Sequence, residues 1–545
     1  MKTEVVSGRL IDVVNREMRT VDMYIEGGKI AQIRDRKTSG GPYILPGFVD
    51  AHIHIESSLV TPLSFSYEAI KKGTIGLMTD PHEIANVMGV RGVEYMIRSA
   101  KQSPLKIIFG APSCVPATAY ESAGGVVSST DIEKMFRSGM VSFLSEMMNY
   151  PGVIHQDPEV IEKLKLATDY GVPVDGHAPG LKGRALQDYI DSGISTDHEC
   201  ASIGEAREKI QRGMKIIIRE GSAAKNFEEL IPLLDEYPEK IMFCTDDLHP
   251  DDLINGHVNK LVRRALEMGY DFYDVLRAAS YNAIKHYGSK QGLLQEGDAA
   301  DFILVDDVKK MEIRATYIDG RPVYDDQKVR ISEREDEEIN CFKAEQVKDE
   351  DLQVEAETGI IRVMKATDGE LYTGSENCNA TIEHGKVISD TSRDILKIVV
   401  LNRYEESVPA IAFVNGFGLK RGAIASSIGH DSHNIIAVGV HDRDIASAIN
   451  WVIEHKGGIA SAHKHIIQGL ALPVAGIMTN QSVQQASRGY VSVSRLAKQW
   501  GATLTAPFMT LAFMPLLVIP ELKISDKGLF DGNQFQFTNL FVEEL

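Results

Sequence analysis

The sequence predicts an α/β fold: a (β/α)8, TIM-type barrel with a small β domain formed from segments flanking it and an additional C-terminal α/β domain. Three observations predict it. Eight short apolar runs alternate with helical periods after Pro46, strand-like stretches lie on both sides of that region, and a long mixed segment follows an acidic run. At 545 residues the chain is also too long for one ordinary domain.

The opening stretch reads as short strands, Glu4 to Val6, Val21 to Ile25 and Lys29 to Ile33. Gly27-Gly28 and Gly40-Gly41-Pro42 punctuate it, as hairpins require. The eight barrel strands are then Gly47 to Ile55, Thr74 to Asp80, Leu105 to Pro112, Val141 to Met147, Pro173 to Pro179, Ile194 to Glu199, Lys215 to Gly221 and Ile241 to Asp247. Eight is the number that closes a barrel. Between them lie helices. In one, Asp157-Pro158 supplies the N-cap and first-turn proline, Val160, Ile161, Leu164 and Ala167 form an apolar face, and Gly171 ends it.

After the barrel, GLLQEGDAADFILVDD reads as strands that rejoin the N-terminal β unit, since neither piece buries both faces alone. The acidic run SEREDEE from Ser332 reads as a solvated boundary. Buried-looking strands at Lys397 to Leu401, Ala410 to Val414 and Asn434 to Val440 follow, with a helix presenting Ile445, Ala448, Ile449, Val452 and Ile453 on one face. The expected domains are 1–45 with 288–331, 46–287, an acidic linker 332–352, and 353–545.

Composition narrows the function. Apolar residues make up 43% and charged residues 25%, as in a globular protein with a substantial core. A formal charge of −19, without a conspicuous Lys/Arg cluster, argues against a nucleic-acid partner and favours a small, neutral substrate. Cys114, Cys200, Cys244, Cys341 and Cys378 are scattered, which fits reduced thiols. The N-terminus lacks the apolar core of a signal peptide, and PFMTLAFMPLLVIP is too short and too interrupted by proline to span a bilayer. The expectation is a cytoplasmic protein with no membrane partner, assembling as a homo-oligomer.

The chemistry concentrates at strand ends. In PGFVDAHIHIES, His52 and His54 are two residues apart on a strand and project from one face. Alone, such a pair reads equally as packing histidines. Four later strands also end on metal-binding types: Glu146 in SFLSEMM, His177 in VDGHAPG, His198 in STDHEC and Asp246 in FCTDDLHP. Because the strands of a barrel are parallel, their C-terminal ends meet on one face, so these six residues converge on a metal site.

These motifs resemble the amidohydrolase superfamily over about residues 1–330. The resemblance implies that His52, His54 and Asp246 bind one metal and His177 and His198 a second. Many relatives bridge the two with a carboxylated lysine at the end of the fourth strand; here Glu146 occupies that place, and a carboxylate is able to bridge directly. Within the superfamily, that glutamate together with HIHIES, TDPHEIANVMG, GHAPGL and the long C-terminal domain is similar to the adenine deaminase family. This implies hydrolytic deamination of free adenine to hypoxanthine and ammonia by a metal-activated hydroxide, in purine salvage. Asp246 would shuttle the proton beside Glu146. The resemblance favours two divalent ions, Mn2+ or Fe2+, with Zn2+ also compatible with the ligands. Alternatives are another cyclic amide or amidine hydrolase, dihydroorotase-like or hydantoinase-like, or a metal-binding protein that has lost catalysis.

In TDPHEIANVMG, Asp80, His82, Glu83 and Asn86 are expected to overhang the barrel mouth, where His82, Glu83 and Asn86 either read the substrate ring or merely cap a loop. Glu56, Ser57 and Glu199 neighbour ligands and are candidates to orient them. In the C-terminal domain, GHDSHN offers His430, Asp431 and His433, and SAHKH offers His463 and His465, as a weaker candidate extra metal or other site. That domain either covers the mouth or builds an oligomer interface.

Overall fold

Eight parallel strands close into a ring in a computed structural model that describes residues 3–38, 40–331 and 336–542. Phe48–Ile53, Thr74–Thr79, Lys106–Ala111, Phe143–Met147 and Val174–Gly176 pair in sequence order, and Thr196–Asp197, Lys215–Arg219 and Ile241–Cys244 form a second parallel set. Parallel bridges from Val174 to Ile194 and from Ile53 to Asp246 join the sets at both seams. Strands such as Phe48–Ile53 and Thr74–Thr79 are buried at every residue, because side chains fill the barrel on one face and helices cover the other.

The strands stop sooner than their apolar patterns suggest. His54, His177, His198 and Asp246 each follow the last strand residues, and only His52 and Glu146 lie within strands. At the barrel mouth the chain leaves the ladder, so the pleat no longer dictates where those side chains point. The helix Pro158–Tyr170 matches its sequence signals: Asp157 accepts from the Glu159 and Val160 amides, and Gly171 closes it at φ 65°.

The flanking segments share one eight-stranded sheet, in which Phe302–Val305 pairs antiparallel with Tyr43–Pro46, and Tyr43–Pro46 pairs with Glu4–Asp12. A second eight-stranded sheet lies in the C-terminal region. Its central strand Leu396–Leu401 is buried on both faces, with Ile398 and Val400 packing toward helix Val483–Gln499 and Val399 and Leu401 toward helix Asp442–Glu454. That two-sided cover explains the apolar run Ile398–Leu401, while the buried Lys397 beside it donates to Leu352 O and pairs with Asp442.

Residues 332–335 of the acidic run lie outside the described residues. The next residue, Asp336, is buried rather than solvated, because Ser99 and Gln102 on the barrel's flank both donate to it at 2.7 Å. Beyond it the C-terminal unit sits on loops at the strands' C-terminal ends: Thr479 exchanges backbone hydrogen bonds with Leu59 and Thr61, Ser525 donates to Tyr120 O, and Asn434 donates to Ser122 O. It therefore covers the barrel mouth. The PFMTLAFMPLLVIP segment forms helix Pro507–Ala512 and buried turns. Among the described residues no helix is long and apolar enough to cross a membrane, and all five cysteines are free thiols.

Candidate metal centre and active-site pocket

The six strand-end residues predicted to converge do so. His52 Nε2 and His54 Nε2 lie 3.2 Å apart, and both face Asp246 Oδ1, at 3.5 and 3.3 Å. On the other side, Glu146 Oε2 lies 2.8 Å from His177 Nδ1 and 3.1 Å from His198 Nε2, while its Oε1 lies 3.4 Å from His54 Nε2. Glu146 thus presents one oxygen to each histidine group. His52 Nε2, His54 Nε2 and Asp246 Oδ1 thus turn three donor atoms toward one another, and imidazole with carboxylate is the donor chemistry of Zn, Fe, Mn or Co.

Supporting contacts set the ring orientations. His54 Nδ1 faces the Asp80 carbonyl at 3.1 Å, so a proton there leaves Nε2 free to bind metal. Neither Glu56 nor Ser57 does this work. Glu56 accepts from the Ile84 amide, and Ser57 donates to Asp247 Oδ1 at 2.5 Å. Glu199 does lie beside the second group, 3.5 Å from His198 Nε2 and 3.6 Å from His177 Nδ1.

Burial opposes charge throughout this cluster, and mutual pairing overcomes it. Glu146 is desolvated, yet His177 and His198 hold its carboxyl well below the usual carboxylate range. Burial likewise disfavours the His177 cation, but Glu199 and Glu146 push it up to about 9. Asp246 is desolvated and nevertheless held well below its ordinary range by Arg219, His52 and His54. Asp246 also adopts φ 52°, a left-handed conformation that Asp tolerates better than bulky residues.

Sequence reasoning overlooked Arg219. At the end of its strand it donates to Asp246 Oδ2 at 2.7 Å and pairs with both oxygens of Glu199. An arginine inside an apolar strand, KIIIR, was the available signal.

The segment after the second strand is not a loop but the helix His82–Met88. His82 and Glu83 line the pocket. His82 Nδ1 sits 3.0 Å from Asp80 Oδ2 and 3.4 Å from Glu146 Oε1. The expectation for Asn86 is corrected: it does not line the pocket, because on the helix it stands one turn beyond His82 and its amide donates back to His82 O at 3.0 Å. Glu83 is engaged by the C-terminal unit, with His430 Nδ1 at 2.7 Å from Oε1 and His433 Nε2 at 2.5 Å from Oε2. His430 lines the pocket, whereas His433 lies behind Glu83. His463 and His465 are not among the pocket residues, and His463 pairs with Asp444 at 3.0 Å.

Above the polar floor, Leu371, Phe513, Leu516 and Val518 of the C-terminal unit make an apolar wall, and the His430 ring stacks on Phe513 with centroids 4.6 Å apart. No periodicity in the sequence ties these residues to the barrel. The arrangement is a small pocket with a floor of candidate metal ligands, a buried acid held by an arginine, and an apolar side.

Comparison with known proteins adds two kinds of likeness. Residues 43–323 match the model of the amidohydrolase family, and residues 370–536 match that of the adenine deaminase C-terminal domain. An adenine deaminase of Methanosarcina mazei is 49% identical over 98% of this chain and 99% of its own length. One of Parabacteroides distasonis is 50% identical over 99% of both, and one of Borreliella burgdorferi is 41% identical over 98% of this chain and 99% of its own.

Proposed function

The chain belongs to the adenine deaminase family, built on the metal-dependent amidohydrolase fold, and from that premise we propose how its residues deaminate adenine. It is a hydrolase that converts adenine and water to hypoxanthine and ammonia. In the proposed site, His52, His54 and Asp246 would hold one divalent cation and His177 and His198 a second, with Glu146 serving both. The observation that carries this reading is Glu146, with one oxygen toward each histidine group. Mn2+ or Fe2+ suits these nitrogen and oxygen donors. When bound, the cations supply the Lewis acidity that makes water nucleophilic at neutral pH.

The remaining work falls to the chain's own groups. Arg219 holds Oδ2 of Asp246, which leaves Oδ1 aimed at the reacting centre. Oδ1 takes one proton from the attacking water as its oxygen bonds to the amine-bearing carbon, and returns it to the amino nitrogen, so that the C–N bond breaks and ammonia leaves; the water's other hydrogen stays with the product, on the ring nitrogen next to the new carbonyl. Leu371, Phe513, Leu516 and Val518 receive the flat faces of the purine and exclude water from it. The test is ammonia release by the metal-replete enzyme from adenine, adenosine, guanine, cytosine, dihydroorotate and hydantoin. Turnover of adenine well ahead of the rest is expected, and activity confined to the cyclic amides overturns the assignment.

A further inference from the structure

Among the described residues that line the pocket, one buried carboxylate oxygen has no hydrogen-bond partner. Both oxygens of Glu83 face His430 and His433, those of Glu146 face the histidines, those of Glu199 face Arg219, and Asp246 is shared between Arg219 and the first histidine pair. Asp247 accepts from Ser57. Asp431, also lining the pocket, is 3% exposed, and its Oδ2 has no hydrogen-bond partner among the described residues. A buried carboxylate oxygen without a donor is costly, and native structures seldom keep one for packing alone.

We infer that Asp431 is a recognition residue that accepts a hydrogen bond from the imidazole N–H of the free purine base. This rests on the adenine reading above and goes beyond it, since it assigns part of substrate selection to the C-terminal unit. An acceptor pairs only with a donor, and adenine offers two kinds: the amino group on the reacting carbon and the single N–H of the imidazole ring. The amino group belongs over the metal-binding floor, where Asp246 delivers its proton. The imidazole N–H, at the opposite end of the rigid bicycle, is left for a second acceptor. Asp431 comes from the covering unit, on the side of His82 and Glu83, with ligand atoms of all three within 4.8 Å of one another. The Phe513 wall lies in the same unit, so the face and the edge of the base are read together.

A base substituted on the imidazole nitrogen, as in a nucleoside, brings carbon to this oxygen instead of hydrogen. The carboxylate then stays unpaired as well as crowded, which is how a built hydrogen-bonding site rejects the wrong substrate.

The experiment compares KM and kcat for adenine with Ki for 9-methyladenine, which lacks the N–H, in the metal-replete wild type and in Asp431→Ala and Asp431→Asn, at matched metal content. Asp431→Ala is expected to raise KM for adenine roughly tenfold or more while leaving kcat within a few-fold and the Ki of 9-methyladenine unchanged or lower. Asp431→Asn, of the same size, is expected to shift the ratio the same way by less, and serves if the alanine variant does not fold. The inference is overturned if KM and Ki rise by the same factor, or if neither moves. If the wild type releases no ammonia from adenine, the adenine reading fails, and this one with it.

Discussion

Glu83 and His433 stand 350 positions apart in the chain and meet at 2.5 Å, each buried, across the junction of the barrel and the C-terminal unit. With His430 on the other Glu83 oxygen, the carboxylate is held from both ends by one loop of the covering unit. The covering unit thereby contributes side chains to the candidate pocket.

If this clamp acts as a unit, its members are not independent. Glu83→Ala and His433→Ala are each expected to lower kcat/KM for adenine, and the double variant to cost little more than the worse single one, a coupling of about 1 to 3 kcal/mol. A double-mutant cycle on kcat/KM measures it, and strict additivity would show that the contact is incidental.

Asp246→Asn keeps the shape of the side chain and its contact with Arg219 but removes the base. Turnover is expected to fall by roughly two to four orders of magnitude. Steady-state kinetics with metal analysis on the same sample separates this from metal loss. Turnover near wild type at full metal content would exclude Asp246 as the proton carrier.

Replacing Glu146 with Gln removes the one charge that faces both histidine groups. The variant is expected to bind less than the wild-type complement of metal after dialysis against chelator and reloading with Mn2+ or Fe2+. Elemental analysis reads this directly, without reference to activity, and an unchanged stoichiometry would mean that Glu146 joins nothing.

His286, on the helix Asn282–Tyr287, is not among the pocket residues and lies beside Lys215, whose Nζ is 3.0 Å from its Nδ1. Burial, and then the charges of Lys215 and Lys240, push it down to about 3. Between the unfolded histidine's ordinary range near 6.5 and pH 3, the unfolded chain takes up a proton that the folded one refuses. Stability is therefore lost as pH falls through that window, at up to about 1.4 kcal/mol per pH unit for this one group, and the contribution is intact above it. His286→Gln retains an acceptor for Lys215 and is expected to flatten the acid side of the thermal-stability profile. Identical pH dependence in the variant and the wild type would rule out this source.

Local pattern determined much of this protein. Apolar runs of strand length separated by helical periods established the barrel order, Asp157-Pro158 and Gly171 bracketed their helix, and residues of ligand type at successive strand ends converged because parallel strands deliver their ends to one face. The burial of residues 398–401 was likewise readable as an apolar run, IVVL. What lay beyond local pattern was whatever depended on one unit meeting another. Asn86 misled because a short helix turned its amide back onto His82 rather than into the pocket. Arg219 reaches Asp246 and Glu199 only once three strands are side by side. The clamp on Glu83, the unmatched oxygen of Asp431 and the wall of Leu371, Phe513, Leu516 and Val518 arise from docking the C-terminal unit on the barrel mouth. Periodicity records which face of an element is buried, but it carries no information on which distant face will cover it. That choice is made by complementary packing between surfaces hundreds of residues apart, and here it is what encloses the cluster of candidate metal ligands in a pocket.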